Sequence, residues 1–599
     1  MSSNTNFATW NPLTKGSYTG LFNGNTTARS ISNADLGGVT ATIGITTGKW
    51  YWETYVNFSG TGYVYAGLSS GYEGGGFYSG GSATNGMTPS AIRLRNNGTL
   101  YDSSGSDDPD RWGTITLTST GVTSFTNGDI IGFALDYDNK KLWISKNGTF
   151  FNSGNPAGGS NQQASWTGDV PIIYPCAEPY HTNNDFTLNA GQDSSFSGQK
   201  TSGSAAATDG NGYGDFYYTP PTDYLAVCAA NLPTSSDIDP AGDNGEDENP
   251  TKQFNVVTYT GDGSTSNAIS NLGFSPDLVW IGQRSSPTAN YSNGMFDTSR
   301  GRAKVLYSHR SDKQPSDSSS TQDLVSFDSD GFTVGTNNNA SVNASSKEMV
   351  AWCWKCAGGT TSSNSSGSAN STVQVNTKAG FSISLTDNYG AANGVTIGHG
   401  LGKKPAFYLH KTTGDNSSGG ASQAFNWHVY HHSLGATNSL FIHLTNAAAT
   451  AIGYWNNTEP TTDVLSLGNL IAGNGQSVVF AWAEIDGYSK FGSYNGSGNS
   501  AGGPFCYTGF RPRLLMIKNS EQSSNWVVLD SARQTFNPNE NYLRWNTGEA
   551  EGGTSNNFDV DFLSNGFKVR STETDLNTQD KLYVYAAWGD VPTKYGNTF

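Results

Sequence analysis

Apolar and polar residues alternate over short stretches along most of this chain, and sustained 3.6-residue periods are nearly absent. Gly48-Lys49-Trp50-Tyr51-Trp52-Glu53 opens an alternating strand that continues through Tyr55 and Val56. Asp129-Ile130-Ile131-Gly132-Phe133-Ala134-Leu135-Asp136 runs into the turn Tyr137-Asp138-Asn139-Lys140-Lys141 and returns as Leu142-Trp143-Ile144-Ser145. That pattern predicts a β-hairpin with apolar residues on one face and Asp and Asn at the turn. Residues 234–251 have no apolar period and many acidic groups, and 359–370 are rich in Gly, Ser, Thr and Asn. Both read as linkers.

Beyond residue 251 the pattern repeats. Three times a Gly stands three residues before a Pro that introduces an apolar strand: Gly273 and Pro276, Gly402 and Pro405, Gly509 and Pro512. Three times a closing strand carries Ala-Trp, at Ala351-Trp352, Ala481-Trp482 and Ala587-Trp588. The prolines are 129 and 107 positions apart and the tryptophans 130 and 106, so two independent markers keep step. Asp297 and Arg300 in the first copy correspond to Asp530 and Arg533 in the third, while the second has His431 and Leu434 there. Three β-sandwich modules follow, at 252–358, 371–490 and 491–599, each long enough to own a core. The Asp/Arg pairs, recurring at one register, are expected to pin a turn inside their own modules.

Composition narrows the class. Gly contributes 74 residues, aromatics 12% and charged residues only 14%, which suits short strands joined by tight turns. The fold class is all-β. A formal charge of −16 offers no basic stripe for nucleic acid and no attraction to anionic membranes. No apolar run approaches the roughly 20 residues of a membrane span, and Met1 is followed by neither a basic nor an apolar leader segment. Five scattered cysteines make a poor disulfide framework, which places synthesis and folding in a reducing cytoplasm.

His399, His410, His428, His431, His432 and His443 crowd one module, but strand alternation separates His431 from His428 and His432, and structural histidines are expected. Cys353-Trp354-Lys355-Cys356 lies on a strand without a second pair, so buried thiols are expected rather than zinc. The acidic segment 237–248 departs from calcium-loop spacing at Ala241, and Asp107, Asp108 and Asp110 read the same way. Glu53 and Asp136 are the carboxylates a glycosidase reading would need, yet no known catalytic constellation surrounds them. No enzyme activity, metal or cofactor is expected. Binding is the better reading, because 71–88 and 104–113 are long loops rich in Gly and aromatics. Tyr72, Phe77, Tyr78, Arg111 and Trp112 are the candidate contacts.

The Gly-Lys-Trp-Tyr-Trp-Glu strand, Gly67-Leu68, the hairpin through Asn147-Gly148, and Tyr174-Pro175 together resemble the SPRY domain, a concanavalin-like β-sandwich. The resemblance covers roughly residues 30–200, with Asn189-Ala190-Gly191 where that family usually has Asn-Phe-Gly. It implies an N-terminal SPRY-like domain over 1–233. A SPRY-like module followed by such repeats resembles tail-fibre-like proteins of marine bacteriophages. That resemblance implies a virion surface protein that binds a host-surface glycan or protein and contacts other virion proteins. A non-adhesive vertex or capsid decoration and a polysaccharide depolymerase are the alternatives. Fibre proteins gain avidity from several copies, so a homo-oligomer is expected, a trimer before a dimer.

Overall fold

A computed structural model describes residues 6–16, 18–32, 37–60, 62–70, 91–102, 112–170, 172–201, 207–233, 249–285, 293–312, 314–315, 317–386, 394–413, 426–471, 476–500, 503–553 and 558–590. Nearly all regular structure is antiparallel β. The chain divides into two compact units, Met1–Pro233 and Thr234–Thr593.

The N-terminal unit packs a ten-stranded sheet against a five-stranded one. Lys49–Asn57 and Ile130–Asp136 are central in the larger sheet, with Lys141–Lys146 beyond them as the predicted hairpin partner. Tyr65–Ser69 is central in the smaller, between Tyr174–Glu178 and Ala91–Arg95, with Leu100–Asp102 at the edge. Alternate residues meet between the sheets: Trp52, Ile131 and Phe133 from one, Ala66, Leu68, Ile92 and Leu94 from the other. The far face of the larger sheet is buried too. There Tyr51, Ala134 and Trp143 pack against Phe216, Tyr224 and Ala226 of the stretch after residue 206. Glu53 anchors that stretch by accepting the backbone N–H groups of Tyr217 and Tyr218 at 2.9 and 2.7 Å.

The second unit holds the three modules. Each has a main sheet in the order first strand, closing strand, Pro-led strand, Asp- or His-bearing strand. In the first module these are Phe254–Thr260, Glu348–Trp354, Leu278–Gln283 and Gly294–Asp297. In the second they are Phe381–Thr386, Ser477–Trp482, Phe407–Thr412 and Trp427–His431. In the third they are Ser489–Asn495, Leu582–Gly589, Pro512–Asn519 and Val527–Asp530. A small second sheet covers one face of each main sheet over the module's own core, for example Val279 and Ile281 against Phe332 and Val334. Ser362–Asn364, in the stretch read as a linker, is itself a strand that extends the second module's main sheet.

The other faces of the three main sheets converge on one shared core. Trp354, Trp482 and Trp588 meet there edge to face, with centroids 5.8, 5.4 and 5.7 Å apart pair by pair. The modules are therefore not independent sandwiches: each main sheet is apolar on both faces because each face has its own core. Strand register corrects the closing marker. Trp354, not Trp352, pairs with Leu278 as Trp482 pairs with Phe407 and Trp588 with Leu514. Residues i and i+2 share a strand face, so the Ala-Trp pair matched a neighbour two positions away.

Three corresponding contacts between modules run in one direction around a ring. Trp427 Nε1 donates to the Tyr307 carbonyl of the first module at 2.8 Å, and Trp526 Nε1 to the Phe441 carbonyl of the second at 3.0 Å. Asn293, which immediately precedes the corresponding strand of the first module, donates to the Thr547 carbonyl of the third at 2.7 Å. One chain thus closes a pseudo-threefold ring of head-to-tail interfaces.

Candidate functional site

Of the predicted contact residues, Tyr72, Phe77, Tyr78 and Arg111 lie outside the described residues. Trp112 is 1% exposed and packs edge to face on Trp166 at 5.0 Å, so both ring faces belong to the sandwich core rather than to a ligand.

The smaller N-terminal sheet brings other residues together. Its core side carries Ala66, Leu68, Ile92 and Leu94, so Tyr65, Arg93, Arg95, Tyr101 and Glu178 stand on its outer side. Arg93 Nη1 meets Glu178 Oε2 at 2.6 Å, and both side chains are buried. Arg95 lies over the Tyr63 ring at 3.4 Å, within 6.0 Å of the Tyr65 ring, and donates from Nη1 to the Tyr101 hydroxyl at 3.0 Å. Tyr63, 49% exposed, stacks with Tyr180 at 6.3 Å, and Tyr180 meets His181 edge to face at 4.5 Å. Gly62 has φ +84°, and a Cβ there would stand 2.2 Å from His181 and 2.8 Å from Tyr180. The bare backbone at Gly62 lets these rings close up. A planar cation beside flat rings with hydroxyl tips can hold a ligand that has both an apolar face and polar groups.

The sequence holds a signal for this cluster outside the long loops. In Ile92-Arg93-Leu94-Arg95 the apolar residues fill one face and two arginines the other, in a chain with few cations.

The Asp/Arg pairs behave as turn pins. Asp297 and Arg300 meet at 2.5 Å, and Asp530 and Arg533 at 2.6 Å, with all four side chains buried. Each aspartate also accepts the backbone N–H of its arginine at 2.8 Å. The third pair does more, because Trp352 of the first module donates to Asp530 at 3.1 Å. Glu551 bridges Arg533, at 3.0 Å, to Arg284 of the first module, at 2.9 Å. In the second module His431 Nδ1 accepts the Ser433 N–H at 3.2 Å, while Nε2 lies 3.0 Å from the Tyr585 carbonyl of the third module. Burial lowers the His431 pKa to about 3, with His432 adding to the fall.

The remaining candidates are interior. Glu53 is pushed up to about 7 by burial, against donors from Tyr217, Tyr218, Tyr51 and Asn189, and acts as a clamp between strand and tail. All five cysteines are buried, and burial raises the Cys353 and Cys356 thiols well above their usual range. Among the described residues no His, Cys, Asp and Glu cluster has metal-holding geometry. No described helix is long and apolar enough to cross a membrane.

Residues 249–592, more than half of the chain, match the family model described as "Domain of unknown function (DUF7483)". The chain belongs to this family. Solved structures similar to it include the SPRY domain of human HERC1, at 22% identity over 30% of this chain and 96% of that one, with a TM-score of 0.20. The TRIM65 PSpry domain is 14% identical over 31% of this chain and 90% of that one, with a TM-score of 0.20. Stonustoxin is 18% identical, with a TM-score of 0.21; the match covers 31% of this chain and 27% of that one. No curated protein matches the chain.

Proposed function

We propose that this protein is a non-catalytic recognition component of a bacteriophage particle surface, tail-fibre-like or adhesive, whose N-terminal SPRY-like unit binds a host-surface glycan or protein. The observation that carries the binding reading is the stack of exposed Tyr63 on half-buried Tyr180, with Arg95 against it on the outer side of the smaller sheet. The three-module unit supplies a rigid body, since each main sheet is clamped between two cores. The virion setting rests on the resemblance of the domain order to tail-fibre-like proteins, and the scattered, buried cysteines suit assembly in a reducing cytoplasm. Contacts with other virion proteins and a homo-oligomeric, trimeric state belong to the same proposal.

Fluorescently labelled full-length protein, wild type and Tyr63→Ala, presented to a panel of bacterial strains tests it. Strain-selective binding that Tyr63→Ala reduces supports recognition. Binding only to particles that lack the protein would make it a structural decoration, and release of reducing ends from surface polysaccharide would make it a depolymerase.

A further inference from the structure

In each main sheet of the second unit the first strand starts where the closing strand ends. Phe254 lies opposite Trp354, Phe381 opposite Trp482, and Ser489 opposite Trp588. Every link between modules therefore lies at that end, beside the tryptophan triad. The opposite end of each sheet carries loops that only join strands within a module.

There the first and third modules build the same pair of loops bond for bond. Asn343 Oδ1 accepts the Asp262 N–H at 3.0 Å, as Asn577 Oδ1 accepts that of Ser497 at 2.6 Å. Asn343 Nδ2 donates to the Ser264 carbonyl at 3.1 Å, and Asn577 Nδ2 to the Asn499 carbonyl at 3.2 Å. The Gly263 and Gly498 N–H groups donate to the carbonyls of the same two asparagines, at 2.9 and 3.0 Å. Gly261 and Gly496 pass close to the facing loop: a Cβ would stand 2.3 Å from the Ala344 carbonyl oxygen and 2.1 Å from that of Thr578. The pins are the same residues in both copies, since Gly261, Gly263 and Asn343 match Gly496, Gly498 and Asn577. The outward residues differ. Ser345 stands where Gln579 does and Thr265 where Ser500 does, and all four are exposed.

A frame that keeps its pins and varies its tips is the arrangement by which loops on a rigid scaffold carry recognition. The tips set the chemistry of the ligand, because their hydroxyls and amide both donate and accept hydrogen bonds. The exposed large apolar side chains of the second unit, Ile452, Leu470 and Phe536, stand on other segments. These loops therefore lack the apolar anchor on which protein interfaces centre.

We infer that the two loop pairs are a second recognition surface, which binds the hydroxyl groups of a neutral surface polysaccharide. It goes beyond the Tyr63 face, which lies in the other unit. Loops already pinned lose little freedom when they bind, so weak individual hydrogen bonds add up.

The probe is a bacterial strain bound by labelled full-length protein. Its cells are used untreated, oxidised with periodate to cleave sugar diols, or treated with protease to strip surface proteins. Ser345→Trp and Gln579→Trp together put a bulky ring on the two equivalent tips, and Thr361→Trp puts one on the connector between the first and second modules. Binding weaker by about tenfold or more is expected for the double variant and for periodate-treated cells. Thr361→Trp and protease-treated cells should bind as the wild type does. Full binding by the double variant, equal loss from Thr361→Trp, or loss on protease but not periodate treatment overturns the inference. Tyr63→Ala separates the two surfaces: loss there alone leaves the N-terminal face standing, loss in the double variant alone leaves this one, and loss in each supports both. Binding to no strain overturns both. The periodate and protease arms use unaltered protein, so they stand even if a variant misfolds, and unchanged melting of the second unit validates the variants.

Discussion

At the scale of single residues, two arginines do opposite jobs. Arg533 is wholly enclosed with Asp530 and holds a turn whose other partners, Trp352, Glu551 and Arg284, join the third module to the first. Replacing it with alanine strands a buried carboxylate, so Arg533→Ala should cost the second unit about 3–5 kcal/mol. Calorimetry should show that loss while the N-terminal unit's transition stays in place. Arg95 holds no turn, and Arg95→Gln should leave both transitions near their wild-type positions. Gly62→Ala should act on the site from behind: its Cβ would press on Tyr180 and His181 at a left-handed φ, so ligand binding should fall and the N-terminal transition should drop with it. The Asp/Arg pairs were legible in sequence because one spacing recurred in two copies, and the divergent His431 was legible as their counterpart for the same reason. The Arg95 cluster was not, because Tyr63, Arg95, Tyr101 and Tyr180 come from four segments that only the sheet brings together.

At the scale of elements, the alternation that revealed the strands concealed how many cores they serve. A strand such as Ser477–Trp482 is buried at every residue, with Val478, Phe480 and Trp482 facing the shared core and Val479 and Ala481 facing the module's own. Length per repeat argued for self-sufficient sandwiches, and the second apolar face of each main sheet is the feature that argues otherwise. Trp482→Ala should cost about 3–5 kcal/mol, because the cavity would open among three modules and neighbouring Trp354 and Trp588 cannot both follow the lost ring. The loss should appear as one cooperative shift of the whole second unit in denaturant unfolding, not as separate melting of the middle module. A single excised module should expose its inner face and associate, whereas residues 249–483 and 484–590 produced together should assemble one to one.

At the scale of the molecule, the two units carry buried titratable groups of opposite sign. In the second, burial lowers His410 and His431 to about 3 and His399 and His443 to about 4. An unfolded chain protonates these imidazoles below about pH 6.5, while the folded unit keeps them neutral down to those values. The unfolded state then binds more protons, so stability present above pH 6.5 drains away as pH falls. Each histidine contributes about 1.4 kcal/mol per pH unit across that window. In the N-terminal unit Glu53 is raised to about 7, above its unfolded value, so the folded state binds the extra proton. Its contribution is fully present below the unfolded carboxylate range and is lost as pH rises through about 7. Scanning calorimetry from pH 7.5 to pH 5 should therefore lower the transition of the three-module unit and hold or raise that of the N-terminal unit. Glu53→Gln should keep one of the clamp's two acceptor oxygens and remove its titration, reducing the N-terminal response to that of Glu178, which burial also raises to about 7. Parallel descent of both transitions, unchanged by Glu53→Gln, would show that surface carboxylates rather than these buried groups set the acid response.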